Sequence, residues 1–128
     1  MCERDRYSIM SAKVILLQCS PNLAASMAAA IRGYVAVQYP PGVSDCALAA
    51  REALLTVAQD IETVCQTATM VTLSRRLRTM LKIAVNFYCD QRPESETREQ
   101  GRSAMLDALQ GEQVDDELIA PLLRRQVR

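Results

Sequence analysis

The chain has 128 residues, of which 49% are hydrophobic and 23% are charged, a composition that supports one folded domain rather than a disordered chain. Fifteen basic residues balance fifteen acidic ones, so the sequence lacks the positive excess that usually accompanies nucleic-acid or anionic-membrane binding. The absence of histidine excludes histidine-dependent metal sites, Ser–His and Cys–His nucleophile pairs and phosphotransfer through histidine.

The first periodic segment covers residues 5–18. Tyr7, Met10, Val14 and Leu17 recur at helical spacing, which favours a helix, although residues 13–19 alone have the pattern of a strand. Ser20-Pro21 is a typical helix start, with a capping residue followed by a proline whose missing N–H costs little. The helix that follows is rich in alanine, which lets another helix approach closely, and we expect it to end before residues 40–42.

Residues 43–92 contain neither glycine nor proline, and they carry the most regular apolar pattern in the chain. A second helix is predicted to start at Ser44-Asp45, where a hydroxyl caps the first turn and a carboxylate lies near the positive end of the helix dipole. As one helix this segment would be about 75 Å long, whereas a compact domain of this size is only about 35–40 Å across.

A compact fold therefore requires a break within that segment, and residues 67–74, where Thr67, Thr69, Thr72 and Ser74 cluster, are the predicted hinge. The hinge would create an antiparallel helical hairpin. The alternative is an unbroken rod that buries its apolar side against a second copy of the chain.

Three regions are predicted along the chain. Residues 1–90 form a helical core, residues 91–101 form a polar linker or short solvated helix, and residues 102–128 form short amphipathic C-terminal helices. Composition and periodicity together predict an all-α fold, a small bundle of four to five helices around an antiparallel hairpin, with a homodimer as one way of completing the core.

The strongest local charge feature is a cationic segment, which we define as Arg75, Arg76, Arg78 and Lys82. If these residues lie on one α-helix, Arg75, Arg78 and Lys82 share a side and Arg76 lies about 100° away. Such a face suits an acidic protein or the phosphates of an RNA duplex. The alternative is an ordinary solvated helix face.

The tail contains an apolar set, Leu118, Leu122 and Leu123, that either docks into a partner protein or folds back onto the bundle. Candidate acid pairs such as Asp60 with Glu62 point in different directions on a helix, which argues against acid–base catalysis. The sequence therefore predicts no catalytic residue, no metal ligand and no cofactor.

The five cysteines are scattered without a CxxC pair, and an odd number cannot form a closed set of disulfides. The apolar run at residues 14–17 is far too short for a signal-peptide core or a membrane span. We therefore expect a reduced compartment, cytoplasmic or nuclear, without secretion or membrane insertion.

By elimination, the predicted function is that of a non-enzymatic adaptor, chaperone or assembly subunit. It would bind a protein partner or a second copy of itself through apolar helix faces, with the cationic segment at the rim. Leu54, Ile61, Leu77 and Met80 are the predicted shared core. The alternative is sequence-independent binding of double-stranded RNA by a helical dimer through the cationic segment.

Overall fold

The computed structural model describes residues 14–40, 42 and 44–123. These residues form five α-helices and one small sheet, so the predicted helical bundle is confirmed in its coarse architecture, whereas the sheet departs from the predicted all-α fold. In chain order the elements are β1 Val14–Gln18, α1 Pro21–Gln38, α2 Asp45–Val64, β2 Met70–Ser74, α3 Arg78–Asp90, α4 Glu96–Ala108 and α5 Ala120–Leu123, with 3-10 helices at Arg75–Leu77 and Asp116–Leu118.

The segment that begins at Val14 is a strand, and the prediction of a helix over residues 5–18 is wrong for its described part. Ile15 and Leu17 are buried whereas Val14 and Leu16 are exposed, which is the two-residue alternation of a sheet with one buried face. The partner strand starts more than fifty residues later in the chain, too far away for local periodicity to reveal. The part of the predicted helix before Val14 lies outside the described residues.

Strand β2 occupies the region that was predicted as a hinge. Helix α2 ends at Val64, the chain turns, and β2 pairs antiparallel with β1 so that Leu16 lies opposite Thr72 and Val14 opposite Ser74. The predicted break is thus correct in position, and the unbroken rod is wrong. Three of the four predicted hinge hydroxyl residues lie within or beside an extended strand, where β-branched threonine is favoured.

Helix α1 lies at the centre of the fold. It begins after Ser20 with Pro21 in the first turn, as predicted, and its buried residues cover most of its circumference. Helices α2 and α3 both pack against it, because alanines between the larger side chains allow close approach. The antiparallel hairpin is accordingly α1 with α2, rather than the two halves of residues 43–92.

A disulfide joins Cys19, just after β1, to Cys65 at the end of α2. Among the described cysteines, Cys46 remains as an exposed thiol and Cys89 as a buried one, and burial raises the pKa of the Cys89 thiol. The odd number of cysteines thus did not prevent one pair from forming. Because disulfides are rare where thiols are kept reduced, this pair weighs against the predicted reduced compartment.

The C-terminal region packs back onto the bundle. Helix α4 begins at Glu96 within the predicted linker, capped by the side chain of Ser95. Beyond α4, Ile119 and Leu122 are fully buried in the shared core. Gly101 makes this possible, since a Cβ atom there would lie 2.8 Å from Cδ1 of Leu122.

Candidate functional site

On the exposed surface of β1, apolar side chains lie beside backbone groups that no described backbone group pairs with. Val14 is 38% exposed and Leu16 is 51% exposed, and both lie on the outer face of the sheet with Thr72 and Ser74 of β2. Apolar strand residues at a sheet edge are a common feature of protein-binding surfaces and a liability when left uncovered.

The hydrogen-bond pattern shows which backbone groups of β1 are unpaired. The N–H of Cys19 donates to the carbonyl of Thr69 at 2.9 Å, in the same register as the rest of the ladder. In an antiparallel pair only alternate residues bond across the ladder, so Ile15 and Leu17 also point their backbone groups at β2. The N–H and C=O of Leu16 therefore point away from β2. Within residues 14–123 as described, no other backbone group bonds to them.

A groove of about 300 Å³ follows this edge, and we call it the β1 groove. Its lining residues come from β1 and from the far wall: Val14, Ile15, Leu16, Arg78, Gln110 and Gly111. Because three consecutive residues of β1 line it and none of β2 does, the groove lies on the side of β1 opposite β2.

One end of the β1 groove is closed. The side-chain amide of Gln18 donates to the carbonyl of Val114 at 3.0 Å, and its oxygen accepts from the N–H of Val114 at 2.8 Å. This pair joins the end of β1 to the loop that forms the far wall. The groove therefore lies between Val14 to Leu16 of β1 and the turn at Gln110 and Gly111, and its end beside Gln18 is the closed one.

Arg78 is the charged residue in the groove, and its position is fixed by the end of α4. Its Nε donates to the carbonyl of Leu109 at 3.1 Å, where the helix ends and the helix dipole is negative. The side chain is half-buried, so its guanidinium is only partly solvated. The terminal nitrogens of this group leave further donors for an acceptor in the groove.

Acidic residues are absent from the two sequence segments that contain the strands, although the overall charge is zero. Residues 6–44 and 63–89 contain no aspartate or glutamate. In the described part of the chain, no carboxylate lies within 4.0 Å of the charged nitrogens of Arg76, Arg78 or Lys82. By contrast, Arg32 pairs with Glu62 at 2.7 Å and Arg102 pairs with Asp90 at 2.6 Å.

The cationic segment is divided between two helical elements. Arg75 and Arg76 lie exposed in the 3-10 helix that follows β2, whereas Arg78 and Lys82 are half-buried and share a side of α3, four residues apart. The condition attached to the predicted shared side, that all four residues lie on one α-helix, is not met, because Arg75 and Arg76 lie in the 3-10 helix that precedes α3. The structure brings Arg78 to the β1 groove.

Most of the other predicted contact residues are buried or half-buried in the protein's own core. Leu54 and Ile61 are buried, and Leu77 and Met80 are half-buried against the core. Of the predicted tail docking set, Leu122 is 1% exposed, Leu118 is 38% exposed and Leu123 is half-buried. A partner would reach Leu122 only after the tail detached.

The sequence reasoning missed the β1 groove because it assigned residues 14–18 to a helix. The alternation of Val14 to Leu17 was the available signal, but nothing local identified Arg78, Gln110 and Gly111 as its neighbours. These residues come together only through the packing of α4 against α3.

Two of the remaining acidic side chains, Glu62 and Asp116, form contacts that stabilise the fold. Glu62 has a lowered pKa because it accepts hydrogen bonds from Arg32. Asp116 accepts from the backbone N–H groups of Asn22 and Leu23, at 3.0 and 2.8 Å. No cluster of three or more His, Cys, Asp or Glu suited to a metal ion occurs among the residues that the structure describes.

None of the described helices has both the length and the hydropathy needed to cross a membrane. Comparisons with protein-family models, with curated proteins and with solved structures gave no match to this chain.

Proposed function

We propose that this protein is a non-enzymatic interaction module, an adaptor, chaperone or assembly subunit, that binds a protein partner through β1. The observation that carries this proposal is the exposed apolar edge of β1, whose Leu16 backbone groups pair with no described backbone group, beside Arg78, which has no carboxylate partner among the described residues.

The rest of the apolar surface supports this choice. Most of the regular apolar stripes of α1, α2 and α3 are used within the protein's own core. The large apolar residues left exposed on these helices, Val37, Leu48 and Ile83, lie one on each helix, whereas the five residues of β1 include two. Val14 and Leu16 keep much of their area exposed, and burial of that remaining area contributes about 1 kcal/mol each. Nearby cations would add orientation and association rate more than affinity.

The test is recovery of a partner from source cells with two matched variants of the full chain. Leu16→Gln removes an exposed apolar side chain from β1, and Val37→Gln removes one that is 58% exposed near the end of α1. We expect Leu16→Gln to weaken the affinity of a recovered partner about ten-fold, equivalent to about 1.4 kcal/mol, and Val37→Gln to leave it unchanged. Equal effects, or no partner for the parent chain, would reject the proposal.

A second copy of the chain is the other protein partner that the sequence suggested. Light scattering of the full chain at micromolar concentration tests it directly. A mass that doubles, and returns to that of one chain in Leu16→Gln, would make the partner a second copy. A single-chain mass at every concentration would leave a different protein as the partner.

Double-stranded RNA is the alternative partner, favoured by the absence of acidic residues from residues 63–89, which include the whole cationic segment. Phosphate contacts release counterions, so binding of a generic RNA duplex must weaken steeply as salt rises. We would compare Arg76→Gln/Lys82→Gln with Arg32→Gln as the control. Absence of binding at low salt would end this alternative.

A further inference from the structure

We infer that the β1 groove binds a short extended segment of a partner protein that carries an aspartate or glutamate, with this segment adding to the sheet as a third strand. The inference rests on the proposed function and specifies how its partner is recognised. Strand addition obtains affinity from main-chain hydrogen bonds and specificity from side-chain contacts.

The backbone of β1 provides the first requirement. The N–H and C=O of Leu16 point to the side on which the groove lies, and no described backbone group pairs with them. An antiparallel or parallel segment placed there would satisfy both groups. Since three strand residues rise about 10 Å, the lining residues Val14 to Leu16 match a segment of about three residues.

The shape of the groove limits how the segment enters. The Gln18–Val114 hydrogen bonds close the end beside Gln18, and the remaining part lies between β1 and the wall formed by Gln110 and Gly111. A Cβ atom on Gly111 would meet no atom within 4 Å, so there is open space at this position of the wall. An extended chain fits such a cleft, whereas a helix about 10 Å wide requires a broader one.

The positive charge of Arg78 predicts which side chain of the bound segment the groove prefers. Arg78 lines the groove, holds Leu109 through Nε only, and has no described carboxylate within salt-bridge distance. A carboxylate on the bound segment would accept charge-assisted hydrogen bonds from its terminal nitrogens. Glu112 follows Gly111 in the sequence but is not a lining residue of the groove, so its carboxylate does not take the place of the proposed ligand carboxylate beside Arg78.

The probe is a bead-displayed library of hexapeptides, acetylated and amidated, with randomised central positions, screened with the full chain. We expect the selected peptides to carry aspartate or glutamate at one position and to bind at least ten-fold more weakly when that residue becomes asparagine or glutamine. N-methylation of one backbone nitrogen that pairs with Leu16 should abolish binding, and the Leu16 amide should become protected from hydrogen exchange.

Variants of the protein identify the site. Arg78→Gln should remove the preference for the acidic peptide, whereas Arg76→Gln, at an exposed cation outside the groove, should retain it. Arg78→Lys keeps a charge in case the glutamine variant disturbs the end of α4, and it should preserve part of the preference. Circular dichroism confirms that each variant is folded.

The inference is overturned if no acidic residue is enriched, if Arg76→Gln and Arg78→Gln act equally, or if an RNA duplex displaces the selected peptides. These failures are distinct from failure of the proposed function. A recovered partner that depends on Leu16 while the library shows no acidic preference would retain the interaction surface and reject this mode of recognition. A partner that is indifferent to Leu16→Gln would reject the surface itself.

Discussion

At the scale of single residues, polar side chains far apart in sequence complete the ends of the elements. Asp116 caps α1 from 94 residues away, while Ser20, the residue that the sequence suggested as the cap, makes no side-chain capping bond. The carboxylate of Asp116 accepts hydrogen bonds from two N–H groups at the positive end of the helix dipole. The tail is therefore joined to the centre of the fold by a polar contact as well as by buried leucines.

Replacing Asp116 with alanine should lower the free energy of unfolding by about 1–2 kcal/mol, because two N–H groups lose their acceptor and the dipole loses a countercharge. Urea denaturation monitored by circular dichroism measures this change. Glu112→Ala is the control, since Glu112 is an exposed acid of the same loop. If both variants lost the same stability, the capping role of Asp116 would be wrong.

The Arg32–Glu62 pair gives a small pH dependence. Hydrogen bonds from Arg32 lower the pKa of Glu62 below its ordinary value of 4.5, so the unfolded state takes up a proton at a higher pH than the folded state. Stability from this pair is present above pH 4.5 and is lost as the pH falls through the lowered pKa. Both side chains are 45% exposed, so the loss should be under about 1 kcal/mol.

Comparison of the parent chain with Arg32→Gln by urea denaturation from pH 7 to pH 3 tests this expectation. The stability difference between them should shrink as the solution becomes acidic. A difference that stays constant across the range would exclude a contribution from Glu62 ionisation.

At the scale of elements, the contact between α4 and the tail depends on one glycine. A Cβ atom on Gly101 would lie 2.8 Å from Cδ1 and 2.9 Å from Cγ of Leu122, and 3.0 Å from the carbonyl oxygen of Leu118. Gly33, in contrast, is an exposed glycine within α1 whose Cβ would meet nothing within 4 Å. Alanine substitutions at the two positions therefore distinguish the effect of tight packing on stability from the effect of helix propensity.

Gly33→Ala should raise the free energy of unfolding by about 0.5–1 kcal/mol, since alanine restricts the unfolded chain and favours the helix. Gly101→Ala has the same propensity gain but must displace the tail at a cost of about 1–3 kcal/mol, so we expect a net loss. Thermal unfolding gives both values, and limited proteolysis reports release of the tail. A stabilised Gly101→Ala would show that the close approach is not required.

At the scale of the whole molecule, the Cys19–Cys65 disulfide links the sheet to α2 across 46 residues of chain. Closing a loop of this length restricts the unfolded ensemble, and the expected stabilisation is about 2–4 kcal/mol. The disulfide also bears on the compartment, because disulfides are rare where thiols are kept reduced.

Replacing Cys19 and Cys65 together with alanine should therefore lower the free energy of unfolding by about 2–4 kcal/mol, as should reduction of the parent chain. Cys46→Ala, at an exposed free thiol, should have no effect. Alkylation of the protein in intact source cells, followed by mass spectrometry, shows whether the pair is oxidised there. Full alkylation of both residues would support the reduced compartment expected from the sequence.

Local signals in the sequence were sufficient for α1 and α2 but not for the start of α4, which lies within the predicted linker. The starts at Pro21 and Asp45 follow from capping residues within one turn, and the break at residues 67–74 follows from the length that a compact fold allows. Apolar spacing identified the buried residues Leu54 and Ile61 for the same reason, because a helix repeats every three to four residues.

The tertiary structure alone decided the strand identity of residues 14–18, the cap from Asp116, the Cys19–Cys65 pair and the place of Arg78 in the β1 groove. Each depends on a partner from 31 to 94 residues away. No periodicity or capping rule extends over such distances. The starts of α1 and α2 were thus determined by the sequence itself, whereas the candidate site was determined by the pairing of β1 with β2 and by the packing of α4 against α3.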